Sequence, residues 1–106
     1  MTFSRETIEK VWLHARVMTD LDPVTWRHDE CGAWIRREHY GRTDSDFGWK
    51  IANVSAGGPD NAENLRPFQH ANGYDRAGRR AHCKVTADQT DLPGTARTRE
   101  PRNRKA

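Results

Sequence analysis

The sequence predicts a small α+β domain: an N-terminal helix, then a strand–loop–strand–helix unit, then a basic tail. Three observations predict it. Ile8, Val11, Trp12, Ala15 and Met18 recur at helical spacing. Phe47, Trp49, Ile51 and Val54 have the composition of a short strand. Ser55 to Asn61 is dense in Gly, Pro, Asp and Asn, the composition of a tight loop.

Ser4 suits an N-cap and Glu6 the first turn, so the helix is expected over Arg5 to Met18. Its apolar stripe reads as core packing. Asp20-Leu21-Asp22-Pro23 ends it, and Val24 to Arg27 reads as a short helical turn after the proline. Asp29 to Gly32 is a turn, and Ala33, Trp34 and Ile35 a short strand. Asn64 and Leu65 resume an extended segment after the 55–61 loop. From Phe68 the chain is expected to turn helical, running to about Ala77 with Gly78 as the stop. The ββα unit is thus assigned to Gly48 through Arg76.

The 106 residues allow one small domain. Mean hydropathy is −1.05 and 31% of residues are charged, which implies a thin core and long polar loops. Four tryptophans, Trp12, Trp26, Trp34 and Trp49, are expected to supply much of that core. No apolar run approaches membrane-spanning length, so no membrane partner is expected.

Net charge is +3. Residues 1–83 balance twelve Lys/Arg against twelve Asp/Glu. The excess lies beyond them, where Lys84, Arg97, Arg99, Arg102, Arg104 and Lys105 face Asp88, Asp91 and Glu100. The domain is therefore placed at 3–83 and a basic, disordered tail at 84–106. Such a tail fits either a solvated chain end or a polyanion partner. Arg76, Arg79 and Arg80 form a second basic cluster, read as a solvated helix end or as phosphate contacts.

Cys31 and Cys83 belong to no Cys-x-x-Cys pair, so a zinc knuckle of ordinary spacing is missing. A bridge between them is one reading. The N-terminal residues lack an apolar leader, which favours the other, free thiols in a reducing cytoplasmic setting.

The ordered set Gly48-Trp49, Gly57-Gly58-Pro59-Asp60, Asn64-Leu65, Asn72 and Arg76 resembles the HNH endonucleases. Upstream, Trp26-Arg27, Asp29, Cys31-Gly32-Ala33, Tyr40-Gly41 and Ser45 to Trp49 extend the likeness, which covers roughly Ile8 to Cys83. The resemblance implies a ββα-metal fold and a divalent cation, Mg²⁺ or Mn²⁺. It implies that Asn72 sits at the metal-ligand position of the helix and that Asn64 braces the loop holding the base. Arg76, with Arg79 and Arg80, would contact nucleic acid, DNA by the family's habit.

One departure bears on chemistry. The family's Asp-His pair, metal ligand and general base, falls at positions 52 and 53, where this chain has Ala52 and Asn53. Alanine has no ligand atom, and an amide takes no proton from water near neutral pH. Cation binding is expected to be weak or absent. Nucleic-acid binding without efficient phosphodiester hydrolysis is the leading expectation. An active nuclease with a rearranged site, and a non-catalytic binding module, are the alternatives.

Overall fold

The computed structural model describes residues 3–19, 21–88 and 101–106. Among the described residues one α-helix forms, α1 (Arg5–Trp12). Eight short strands follow: β1 (Trp26–His28), β2 (Trp34–Arg36), β3 (Trp49–Asn53), β4 (Leu65–Gln69), β5 (Gly73–Asp75), β6 (Arg80–His82), β7 (Val85–Ala87) and β8 (Asn103–Lys105). They pair as four two-stranded antiparallel ribbons, each strand with the next in sequence. The mixed α+β class is therefore as expected.

Ser4 caps α1, its hydroxyl accepting from the Thr7 N–H at 3.1 Å. The helix stops at Trp12 rather than Met18, because the chain is drawn into pairing with β1. The Arg16 N–H donates to the His28 carbonyl at 2.8 Å and the His28 N–H donates back at 2.9 Å. The Arg27 guanidinium donates to the carbonyls of Leu13 and Ala15, each at 3.3 Å. It thereby satisfies acceptors that a longer helix would have used internally. Residues 23–25 form turns and Trp26 starts β1, so the short helix expected over Val24 to Arg27 is replaced by turn and strand.

The core gathers Val11, Trp12, Ala15, Ile35, Trp49 and Leu65, with Phe3, Ile8, Tyr40 and Ile51 packed against it. Trp12 and Trp49 meet with ring centroids 5.4 Å apart. A second aromatic group joins Trp26 edge-on to Phe47 at 4.8 Å and to Trp34 at 6.3 Å. Gly48 leads into β3 where a Cβ would lie 1.6 Å from the Arg42 carbonyl oxygen, so no other residue fits there without moving the backbone.

The hairpin of β3 and β4 encloses the expected 55–61 loop, with Asn53 opposite Leu65 and Trp49 opposite Gln69, but Val54 falls outside the strand and Asn64 ends a 3-10 turn, Ala62–Asn64, instead of resuming the extended chain. The helix expected over Phe68 to Ala77 does not form. Phe68 and Gln69 belong to β4, and a β5–β6 hairpin stands in the helix's place, pairing Gly73 with His82 and Asp75 with Arg80. Local preference for a helix was weak here, since Asn72, Gly73 and Gly78 are all poor helix formers. Distant partners outweigh it. Asp29 Oδ2 accepts both the Gln69 N–H and the Asn72 side-chain amide, each at 2.9 Å.

The disordered tail placed at 84–106 needs correction at both described ends. Val85–Ala87 pairs with Asn103–Lys105, Val85 opposite Lys105. The Asn103 amide accepts from the Trp34 N–H at 2.8 Å and donates to the carbonyls of Trp34 and Asp46. The remainder of that call, residues 89–100, lies outside the described residues. The free-thiol expectation is also corrected: Cys31 and Cys83 form a disulfide across 52 positions of sequence. Among the described residues no helix is long and apolar enough to cross a membrane.

His28 carries a pH consequence. Its ring is buried edge-on against Trp34 at 4.2 Å, and its Nε2 has no hydrogen-bond partner. Burial, reinforced by the Arg16 charge, pushes its pKa down to about 4. The unfolded chain takes up that proton near pH 6.5, before the folded one does, so this contribution is complete above pH 6.5. It falls away as pH drops toward 4. A loss of about 2 kcal/mol is expected across that window, after discounting the full shift for solvent screening. Urea denaturation at pH 7.5 and pH 4.5 measures it. The His28→Phe variant should show a much smaller difference, and an equal one would assign the acid loss elsewhere.

Candidate nucleic-acid interface

The sequence-predicted residues fall into three groups. The first braces the loop between β3 and β4. Asn53 Oδ1 accepts from the Ser55 N–H at 2.8 Å and the Ser55 hydroxyl at 2.6 Å. Its Nδ2 donates to the carbonyls of Gly58 and Pro59 and to Asp60 Oδ1, at 3.0, 3.2 and 2.8 Å. Asn64 Nδ2 donates to the same Pro59 carbonyl at 2.9 Å. Both amides thus hold one loop, and Gly58 fits beneath them because a Cβ there would lie 2.8 Å from Asn64 Nδ2.

The second group is Asn72 with its partner Asp29, both 1% exposed. Asn72 Nδ2 donates to Asp29 Oδ2 at 2.9 Å and to the Val85 carbonyl at 3.1 Å. Its Oδ1 accepts the N–H groups of Lys84 and Val85 at 2.7 and 2.9 Å. Asp29 Oδ1 accepts from the Cys31 and Ala33 N–H groups at 2.9 and 2.8 Å. Asn72 therefore clamps the start of β7 onto the β1–β2 turn, the turn to which the disulfide also ties Cys83.

The third group borders an open cleft of about 810 Å³ between β3 and the β5–β6 hairpin. Ala52 and Asn72 line it, and so does Arg80. Arg76 and Arg79 lie at the hairpin's exposed turn, where Arg79 adopts a left-handed φ of 55°. That conformation costs a non-glycine residue about 1–2 kcal/mol.

Three further lining residues, Lys50, Tyr74 and His82, were not singled out from sequence, and Lys84 was counted only with the basic tail. The signal was there at period two. Lys50 and Ala52 share one face of β3, and Arg80, His82 and Lys84 recur at every second residue, as on one face of an extended chain. The helical reading of 68–77 masked it. Lys50, Arg80 and Lys84 leave the cleft cationic against one carboxylate, Asp75, whose Oδ1 accepts the Gly78 N–H at 3.1 Å. The Lys50 ammonium lies over Gly73, 3.8 Å from where a Cβ would stand.

At the positions the resemblance picks out, the donors do not make up a divalent-cation site, and Asp75 is the single carboxylate lining the cleft. Hard cations take oxygen ligands with at least one carboxylate. Ala52 offers none, Asn53 Oδ1 and Asn72 Oδ1 each already accept two hydrogen bonds, and Asp60 Oδ1 is held by Asn53. Among the described residues no three His, Cys, Asp or Glu side chains cluster to hold a metal. No hydrolytic step follows from these residues.

A smaller cavity of about 190 Å³ is lined by His14, Arg16, His28, Glu30 and Pro67, among others. Glu30 lies 3.8 Å from Arg66, and His14 Nδ1 lies 2.9 Å from the Leu65 carbonyl oxygen. No family model, curated protein or solved structure matches this chain.

Proposed function

We propose that this chain is a nucleic-acid-binding domain with an HNH-like sequence framework, holding a phosphodiester backbone without cutting it efficiently. The observation that carries the reading is the cleft beside Ala52, where Lys50, Arg80 and Lys84 gather against a single carboxylate, Asp75. Cations that neutralise phosphates release counterions, which supplies affinity with little dependence on sequence. Arg76 and Arg79 extend the positive surface along the hairpin turn. Hydrolysis would need a cation ligand and a proton acceptor, and Ala52 and Asn53 provide neither.

The test is binding of a fluorescein-labelled oligonucleotide, followed by anisotropy across a NaCl series. Three phosphate contacts correspond to a log–log salt slope of about −2 to −3. Replacing Lys50, Arg80 and Lys84 together by alanine should abolish most of that slope and weaken binding at low salt by at least about tenfold. Unchanged affinity and slope in the triple variant would refute the reading. Rapid plasmid nicking by the unmodified chain with Mg²⁺ would refute its second half.

A further inference from the structure

We infer that the cleft contains, over Gly73, a pocket for one terminal phosphate of a nucleic-acid strand: a phosphate monoester held by Lys50, Arg80 and His82. The inference rests on the reading above and names the group that this part of the cleft takes. Strand register assembles the pocket. Gly73 stands opposite His82 and Asp75 opposite Arg80, so these four residues share one face of the β5–β6 ribbon. Gly73 leaves that face open by the width of one side chain. The Lys50 ammonium enters the opening from β3, 3.8 Å from where a Cβ of Gly73 would stand. His82 flanks the same point from across the ladder, where directly opposed Cβ positions lie about 4.5–5.5 Å apart. Arg80 follows on the His82 face of β6, about 6.6 Å along the strand.

These three side chains are exposed and line the cleft. Among the described residues none of them forms an ion pair with a carboxylate. Asp75, the one carboxylate on their face, is drawn to the hairpin turn, where its Oδ1 accepts the Gly78 N–H at 3.1 Å. Three N–H-bearing groups without counter-charge are thus set around one missing side chain. A phosphate monoester matches them with three terminal oxygens and about 1.5–2 negative charges. An interior phosphodiester carries a single charge and two free oxygens, which leaves one of the three donors unused.

The experiment compares labelled oligo(dT) strands that carry a 5′-phosphate, a 3′-phosphate or hydroxyls at both ends. Binding is followed by anisotropy at one salt concentration, with the intact disulfide-bonded chain. One of the phosphorylated strands should bind at least about tenfold tighter than the hydroxyl strand, the scale of a charge-assisted hydrogen bond, and which one identifies the end recognised. His82→Ala should bring that preference to within about twofold and leave affinity for the hydroxyl strand unchanged. Gly73→Val fills the opening without altering charge and should do the same. A β-branched residue suits a strand, and the nearest atom to the new Cβ is the end of the flexible Lys50 side chain. Equal affinity for all three strands, or a preference that survives in either variant, would overturn the inference. The cationic reading would survive both results provided the triple substitution of Lys50, Arg80 and Lys84 still weakened binding. Absence of binding to every strand would overturn that reading and this inference together.

Discussion

Opening the Cys31–Cys83 bridge is expected to lower the unfolding free energy by about 3–4 kcal/mol. The chain-entropy argument sets the scale. A cross-link closing a loop of 52 positions removes about 4 kcal/mol of conformational entropy from the unfolded chain at room temperature. Strain in the native state and residual structure in the unfolded state reduce that figure. Against a usual total of about 5–15 kcal/mol the loss is large. Its position also matters. Cys83 lies between His82 and Lys84, both lining the cationic cleft, while Cys31 lies in the turn held by Asp29. Cys83 is exposed, so reductant reaches the bridge without global unfolding. Urea titration with and without reductant, and of the Cys31→Ser/Cys83→Ser double variant, measures the effect. The double variant should match the reduced parent and ignore reductant. Coincident unfolding midpoints for the oxidised and reduced parent would show that the hydrogen bonds of Asn72, Thr86 and Ala87 hold this junction without the bridge.

Asp29→Ala is expected to cost about 4 kcal/mol and, in a chain with so thin a core, to leave much of it unfolded at room temperature. The carboxylate is 1% exposed and accepts four hydrogen bonds, from Cys31 N, Ala33 N, Gln69 N and Asn72 Nδ2. Removing it leaves four donors without an acceptor, three of them buried and each of those costing about 1 kcal/mol or more. Asp29→Asn should fall between the parent and alanine. Its amide keeps one acceptor oxygen but turns an NH₂ toward two N–H donors, wherever the flip places it. Thermal melts rank the three proteins, and amide exchange at Ala33 and Gln69 locates the damage. An alanine variant as stable as the parent would mean that water replaces the carboxylate, and Asp29 would lose its place as the node of the fold.

Both predictions concern contacts that no local pattern announces. The resemblance marked Asp29, Cys31 and Asn72 as positions of interest, but their partnership spans forty-odd residues of chain. The same distance explains the fate of the expected helix over 68–77. Asn72, Gly73 and Gly78 give that segment little helical preference, so hydrogen bonds to Asp29, Val85 and Lys84 decide its shape. Once it is extended, the basic residues that looked like a helix end divide: Arg80 enters the cleft, while Arg76 and Arg79 stay at the turn.

The sequence by itself determined the parts whose physics is local. Ser4 and the apolar stripe start a helix. The alternation around Trp49 makes a strand, and the Gly-Pro-Asp run after it makes a loop. At positions 52 and 53 side-chain chemistry alone says that alanine offers no ligand atom and that an amide takes no proton near neutral pH. Only the tertiary structure decided where α1 stops, that the two cysteines join, that Asn72 is a buried clamp, and that Lys50, Tyr74 and Lys84 share a cleft with Ala52. Each of these depends on which distant donor meets which acceptor. Where local preferences are weak, such pairings outweigh them, because a buried polar group left unpaired costs more than a poor propensity.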